Sequence, residues 1–156
     1  MVLHMPVGYT APFAEKLAEL SKLPVREAFE GCPVRAGEAL LAPAGKHLLF
    51  RRDKGGSIEI RLSTEPTSKP HSPSVDVMFK SAAEVFHERV LAVVMTGMGN
   101  DGTEGAAWIK AQGGMILTEA EESCIIYGMP RCVVEAGLSD GSASLAAMAD
   151  EIRKRL

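Results

Sequence analysis

The spacing of hydrophobic residues in the first half of the chain predicts one helix and several short strands. A helix is predicted from Thr10 to about Leu20, with Thr10 as its N-cap, because apolar residues recur there every three or four positions. Short apolar runs predict strands at residues 25–29 and 39–42. Residues 47–52 and 57–62 flank a glycine-containing turn, and the second run alternates apolar and polar positions. These two runs predict a β-hairpin.

The second half of the chain has the pattern of a βαβ unit. Residues 90–96 form an apolar, β-branched run, which is typical of a strand buried on both faces of a parallel sheet. A helix is predicted from Thr103 to Gln112, followed by a parallel strand at residues 115–118. Amphipathic helices are predicted to begin near residues 72–74 and near Ser144. The predicted class is α/β, a Rossmann-like doubly wound and mostly parallel sheet with a β-hairpin insertion.

Composition narrows the classes of protein that fit this pattern. With 156 residues, 46% hydrophobic and 24% charged, the chain is expected to form one globular domain. The net charge of −3 and the mixed distribution of charges predict no nucleic-acid partner, and no run is long enough for a membrane span. The amino terminus lacks the pattern of a signal peptide. Three cysteines without paired spacing indicate reduced thiols, so we expect a cytoplasmic protein.

Two residues are placed where an α/β protein carries out chemistry. Asp101 lies in the loop Gly97-Met98-Gly99-Asn100-Asp101-Gly102, directly after the central strand. His4 follows Val2-Leu3, which is typical of the end of a buried strand. If the two strands are parallel neighbours, a carboxylate and an imidazole emerge at one sheet edge, as in two thirds of a hydrolase triad. Two alternatives stay open: that His4 is incidental, and that Asp101 is the N-cap of the helix at Thr103.

The same glycines permit a competing interpretation. Gly97, Gly99 and Gly102 match the spacing of a dinucleotide-binding fingerprint, and acidic residues for a ribose contact follow at Glu119, Glu121 and Glu122. Against this, Asp101 would place a negative charge beside the pyrophosphate, where a helix N-terminus favours a negative ligand. The histidines share no helix face with the spacing of metal ligands. We therefore expect neither a cofactor nor a metal.

Six segments resemble a known family, the CheB-type protein-glutamate methylesterases of bacterial chemotaxis. They occur in the family's order and extend over nearly the whole chain. They are His4-Met5-Pro6, Phe13-Ala14-Glu15-Lys16-Leu17, Ala42-Pro43-x-Gly45-Lys46-His47, Pro73-Ser74-Val75-Asp76-Val77, Thr96-Gly97-Met98-Gly99-Asn100-Asp101-Gly102 and Ser123-Cys124-x-x-x-Gly128-Met129-Pro130-Arg131.

The resemblance implies a serine hydrolase that removes methyl esters from glutamates of chemoreceptors, and that often deamidates receptor glutamines. It implies that His4 is the general base and Asp101 its orienting carboxylate. It also implies that the backbone N–H of Met98 contributes to the oxyanion hole, with Gly97 and Gly99 in the same loop. Met129 and Arg131 would line the cleft, and the alternative for Arg131 is a surface position at a helix start. For the Met98 side chain, the alternative to a chemical contact is simple packing in the loop. Partners would be the methylated cytoplasmic helices of receptors and, in full-length relatives, a receiver domain.

The resemblance fails at one point, the nucleophile. In the family the serine precedes the His-Met-Pro segment, whereas only Met1, Val2 and Leu3 precede His4. We therefore expect residues 1–156 to be a partial catalytic domain, truncated relative to the family at its first strand, first helix and most of its second strand, and inactive alone. The alternative is a non-catalytic receptor-binding module. Ser123 and Cys124 are candidates for a substitute nucleophile, although a free cysteine is more typical of a small buried residue.

Overall fold

The computed structural model describes residues 1–156, which form two compact units, Met1–Ser81 and Ala82–Leu156. The first unit contains α1 (Thr10–Leu20), β1 (Val25–Glu27), β2 (Ala39–Leu41), β3 (His47–Arg52) and β4 (Ile58–Ser63). The boundary falls within α2 (Val75–Phe86). The second unit contains β5 (Leu91–Val94), α3 (Thr103–Ala111), β6 (Met115–Glu119), α4 (Met129–Glu135), β7 (Gly141–Ala143) and α5 (Leu145–Arg153).

In the first unit, two small sheets surround a compact core. β1 and β2 pair in parallel, and β3 and β4 form the predicted antiparallel hairpin, in register from His47 opposite Ser63 to Arg52 opposite Ile58. The core consists of buried apolar side chains, namely Ala28, Cys32, Ala42, Leu48 and Ile60. Two of these, Leu48 and Ile60, face inward from the hairpin, as the alternating pattern predicts.

The predicted N-cap of α1 is wrong, although the helix begins and ends where the pattern places it. Tyr9 occupies the N-cap position and no side chain caps the helix. The hydroxyl of Thr10 is buried and instead donates to the Glu27 carboxylate of β1. It also accepts a hydrogen bond from the Ala44 N–H at 3.1 Å. Thr10 therefore ties the helix to the sheet, because a buried hydroxyl needs partners wherever it lies.

The first residues run beside β2 without forming a strand. The Met1 carbonyl accepts from the Ala42 N–H at 2.9 Å, and Val2 packs against the core of the first unit. The prediction that Val2-Leu3 ends a buried strand is wrong for Leu3, which is 37% exposed. The Met5 N–H donates back to the Leu3 carbonyl at 3.0 Å. This tight turn ends the extended pairing and leads directly into the segment of His4.

A buried histidine fixes the loop between β4 and α2. His47 is 1% exposed. Its Nδ1 accepts from the Ser74 N–H at 3.2 Å, and its Nε2 lies 3.2 Å from the Pro66 carbonyl oxygen. Because one ring nitrogen faces a donor and the other an acceptor, both bonds require the neutral imidazole that carries its proton on Nε2. His47 thus connects the two ends of a loop that has no regular structure of its own.

Replacing His47 with leucine is expected to destabilise the protein by about 2 kcal/mol, because the buried Ser74 N–H loses its imidazole acceptor and the Pro66 carbonyl loses its contact with the ring. Urea unfolding followed by circular dichroism measures the change. His47→Gln, which keeps one donor and one acceptor, is expected to recover part of the loss. Equal stability of His47→Leu and the parent chain would contradict this role.

The second unit is built on a parallel sheet with the order β5-β6-β7. Leu117, Ala143 and Met148 form a core that joins β6, β7 and α5. Asp140, just before β7, accepts from the Ile116 N–H at 2.7 Å and pairs with the Lys110 ammonium. Burial opposes ionisation of Asp140, but the Lys110 and Ile116 donors outweigh it and hold the pKa of this carboxyl below its ordinary value.

Several sequence-based predictions for the second unit need correction. The run at residues 90–96 forms a four-residue strand, β5, in which Ala92 and Val94 are buried but Leu91 and Val93 are only half-buried. β5 lies at one edge of the three-stranded sheet, so burial on both faces was wrong for these two residues. The pattern also missed α4 and β7, because short elements rich in glycine, serine and proline lack a readable period.

The strand pairing agrees with the predicted α/β class. Every pair of strands is parallel except the β3–β4 hairpin. No helix has the length and apolar character needed to cross a membrane.

Candidate active site

The loop after β5 is held by backbone hydrogen bonds on both sides of Gly97. The Gly97 N–H donates to the Ile126 carbonyl at 3.0 Å, and the Gly97 carbonyl accepts from the Met129 N–H at 2.8 Å. The Thr96 hydroxyl adds two further bonds, since it accepts from the Ile126 N–H at 2.9 Å and lies 3.2 Å from the Ile126 carbonyl. The glycine loop is therefore fixed to the segment that leads into α4.

This approach requires glycine at position 128 and leaves little room for a side chain at position 97. A Cβ atom on Gly128 would lie 2.6 Å from the Gly97 carbonyl oxygen and 3.2 Å from both the Gly99 nitrogen and the Met98 Cα. A Cβ on Gly97 would lie 2.5 Å from the Met129 Sδ. Glycine thus permits the two backbones to touch, as it does elsewhere where chains approach closely.

The structure brings most of the predicted cleft residues of the second unit together. Gly97, Met98 and Gly99 form the loop, and Met129 is buried against it, with 8% exposure. The Met98 side chain is 76% exposed, so the alternative that it serves simple packing in the loop is wrong. Arg131 lies in the first turn of α4, 57% exposed, with its Nε 3.8 Å from Glu135 Oε1. The backbone is thus packed and fixed, while the Met98 side chain projects outward.

Asp101 occupies a buried position between this loop and α3. Its side chain is only 7% exposed. The interpretation of Asp101 as the N-cap of α3 is wrong, because Gly102 takes that position with φ 101°. A carboxylate is costly to bury and is retained where it has partners to serve. Asp101 is therefore the candidate for a chemical role in this loop.

His4, in the first unit, lies outside any helix or strand. Its ring is solvent-exposed on one side and stacks on His71, with ring centroids 4.1 Å apart and 18° between the ring planes. The neighbouring Met5 N–H fixes the backbone through its bond to Leu3. The sequence pattern singled out His4 but gave His71 no role, because contact between residues so far apart in the chain leaves no local signal.

Glu119 supports the glycine loop from the end of β6. It is 1% exposed, and its two carboxylate oxygens accept from the Thr96 N–H and from the Ser123 hydroxyl, each at 2.9 Å. The Ser123 hydroxyl in turn accepts from the Leu145 N–H at 2.9 Å. A buried carboxylate engaged in this way cannot reach a ribose, which counts against the dinucleotide interpretation. The only sequence signal for the support of the loop by Glu119 was its position as a polar residue at the end of a buried strand.

The two candidate substitute nucleophiles are poorly suited to attack. The Ser123 hydroxyl donates to Glu119 and serves the backbone around it. Burial, followed by the nearby carboxylates of Glu119, Glu121 and Glu122, raises the pKa of the Cys124 thiol. The thiol is therefore kept in its unreactive, protonated form at neutral pH.

No group of three or more acidic, histidine or cysteine side chains is arranged to hold a metal ion.

Cys124 is expected to react slowly with iodoacetamide at pH 8, and faster only at more alkaline pH, because its raised pKa lowers the thiolate fraction. Replacing Glu121 and Glu122 with glutamine is expected to speed the reaction about twofold to fivefold, since each removes a repelling charge. Peptide mass spectrometry separates Cys124 from Cys32 and Cys132. An unchanged rate in the double variant would mean that burial and Glu119, rather than Glu121 and Glu122, control this thiol.

Comparison with known proteins places this arrangement in a family. The family model described as CheB methylesterase matches residues 1–152. A protein of Geobacter sulfurreducens named protein-glutamate methylesterase/protein-glutamine glutaminase 3 is 46% identical over 152 residues, 97% of this chain and 41% of that protein. A similarly named protein of Myxococcus xanthus, numbered 5, is 44% identical over 156 residues, 100% of this chain and 44% of that protein. The chain thus spans less than half the length of these curated relatives.

A solved structure shows the same fold. The crystal structure of the Thermotoga maritima CheB methylesterase catalytic domain superposes with a TM-score of 0.95 and 34% sequence identity, covering 99% of this chain and 82% of that chain. This likeness confirms the predicted α/β fold class and the resemblance found from the six sequence segments. The chain belongs to the CheB methylesterase family.

Proposed function

We propose that this chain provides the general base, its carboxylate and the oxyanion loop for hydrolysis of glutamyl methyl esters on chemoreceptors. The observation that carries the proposal is the buried Asp101 at the end of a glycine loop whose backbone is fixed by α4 and by Glu119. A fixed loop of this kind suits electrostatic stabilisation, because its N–H groups need no reorganisation during the reaction. The family membership supports the ester as substrate.

The reaction proceeds in two steps. In the first, a serine hydroxyl loses its proton to His4 Nε2 and attacks the ester carbonyl, and the backbone N–H of Met98 stabilises the oxyanion. Collapse of the tetrahedral intermediate releases methanol, which takes the proton from His4. In the second step, His4 deprotonates water, which attacks the acyl-serine. The new tetrahedral intermediate then collapses to the glutamate product, and His4 returns its proton to the departing serine oxygen. In this mechanism Asp101 stays ionised, accepts a hydrogen bond from the Nδ1–H of His4 and supports the imidazolium.

The nucleophile is the part that these 156 residues do not supply. None of the residues before His4 is serine, and Ser123 is engaged with Glu119. We therefore propose that the chain alone releases methanol at a small fraction of the rate of an intact relative, since loss of a triad serine costs about a million-fold in turnover. Deamidation of receptor glutamines, with release of ammonia, would follow the same steps.

The three free cysteines support a cytoplasmic setting for this function.

The test uses a fusion protein, made by joining the part of the Geobacter sulfurreducens relative that precedes its matching region to this chain. Methanol release from methylated receptor fragments is measured for the fusion protein and for the chain alone. We expect activity in the fusion protein and none above background in the chain. Rapid turnover by the chain alone would show that the nucleophile lies within residues 1–156. An inactive fusion protein that folds would contradict the esterase proposal.

A second candidate function, a non-catalytic receptor-binding module, is favoured by one observation. Apolar side chains are exposed beside the glycine loop, namely Met98 at 76%, Ile125 at 90% and Ile126 at 48%. The methylated cytoplasmic helices of chemoreceptors would supply a complementary apolar face. Binding of receptor fragments that survives His4→Ala, together with an inactive fusion protein, would support this alternative.

A further inference from the structure

Two imidazole rings lie face to face in the first unit, and one belongs to the proposed general base. The centroids of the His4 and His71 rings are 4.1 Å apart, and the ring planes differ by 18°. Aromatic rings at this separation and angle are in stacking contact. Contact through the ring faces leaves the edges of both rings, which carry the nitrogens, outside the stack.

This geometry does not suit metal binding. The lone pairs of imidazole nitrogens lie in the ring plane, so two nearly parallel rings cannot direct them at one ion. No cluster of further ligands is arranged around the pair. The contact therefore acts through the ring faces, by limiting where the His4 ring can turn.

His71 belongs to a backbone segment that hydrogen bonds and burial hold in place. The Ser72 carbonyl, next to His71, accepts from the Gly45 N–H at 2.9 Å. Ser74 is bonded to the buried ring of His47 at 3.2 Å, and Pro73 is buried between them. His4 is exposed and lies in an irregular segment. His71 thus offers the His4 ring an anchored face to stack on.

We propose that His71 is a positioning residue that fixes the ring plane of His4 for proton transfer. The inference rests on the proposed function, because the orientation of His4 matters only if His4 acts as the base. The side-chain torsion that turns an imidazole has broad minima, so contact with a second ring face restricts the angle of the ring plane. A general base must lie within hydrogen-bond reach of its proton, and small misplacements are costly.

The structural part of the proposal is tested on the 156-residue chain by nuclear magnetic resonance of the His4 ring protons. In the parent chain the His71 ring current shifts these resonances. His71→Ala is expected to return them toward the positions of an unstacked histidine, whereas His71→Phe is expected to keep a ring-current shift. Ser68→Ala, an exposed position in the same loop, is the matched control and is expected to leave them unchanged.

The catalytic part is tested in the fusion protein. His71→Ala is expected to lower kcat about threefold to tenfold with KM unchanged, and His71→Phe is expected to restore most of the loss. An active parent fusion protein with an equally fast His71→Ala variant would overturn the positioning role, as would a loss that His71→Phe does not rescue. An inactive parent fusion protein is a separate result, which overturns the proposed function and this inference with it.

Discussion

Replacing Asp101 with asparagine in the fusion protein is expected to lower methanol release about ten-thousand-fold, and His4→Ala about a million-fold. Asparagine fills the same space but no longer supports a protonated imidazole, so His4 would be held in the wrong tautomer or left without its carboxylate. Removal of the imidazole takes away the base itself. Initial rates of methanol release at saturating receptor substrate measure both effects.

Matched substitutions control for general damage. Asp150→Asn changes an aspartate on α5 whose side chain is 68% exposed, and His87→Ala removes an exposed histidine. Both are expected to leave methanol release unchanged. Because removal of either member of a catalytic pair disables the same step, His4→Ala combined with Asp101→Asn is expected to be no worse than His4→Ala alone. A tenfold effect or less for Asp101→Asn would remove Asp101 from the mechanism.

Gly128→Ala is expected to destabilise the second unit by about 3 kcal/mol and to abolish activity of the fusion protein. The added methyl group would lie 2.6 Å from the Gly97 carbonyl oxygen, and its other close neighbours are also backbone atoms, so no side chain can swing away to make room. The loop would have to leave α4, breaking the bond from the Met129 N–H to the Gly97 carbonyl. Trp108, the single tryptophan, lies on α3 and reports urea unfolding of this unit by fluorescence.

Alanine substitutions at two other glycines serve as comparisons for the loss of stability expected of Gly128→Ala. Gly97→Ala meets the Sδ of Met129, the end of a flexible side chain, and is expected to cost less than Gly128→Ala. Gly141→Ala meets only the Arg155 guanidinium at 3.3 Å and a Leu117 methyl at 3.5 Å, and is expected to be close to neutral. Equal stability of all three variants would show that the loop is not held by close approach to Gly128.

Local sequence patterns were sufficient to predict a helix or strand wherever the residues of that element show a clear apolar period. The bounds of α1 and β3 were predicted from apolar spacing, and β4 was displaced by one residue. The position of Asp101 followed from a glycine loop placed after an apolar run. The roles of Thr10 and Asp101 were harder to predict, because a threonine or aspartate at a helix start can either cap the helix or bind other groups. Both side chains are buried one residue away from the N-cap position, which Tyr9 and Gly102 occupy, and only the three-dimensional structure shows this.

The sequence by itself determined the α/β class and the family, because periodicity and motif spacing are local properties of the chain. It also predicted the candidate catalytic residues His4 and Asp101. Only the tertiary structure decided that Glu119 fixes the glycine loop, that Gly128 lets it touch α4, and that His71 covers the ring of His4. Each of these joins residues that are separated along the chain. Such contacts arise from packing and from the need to pair buried polar groups, and no sequence period records them.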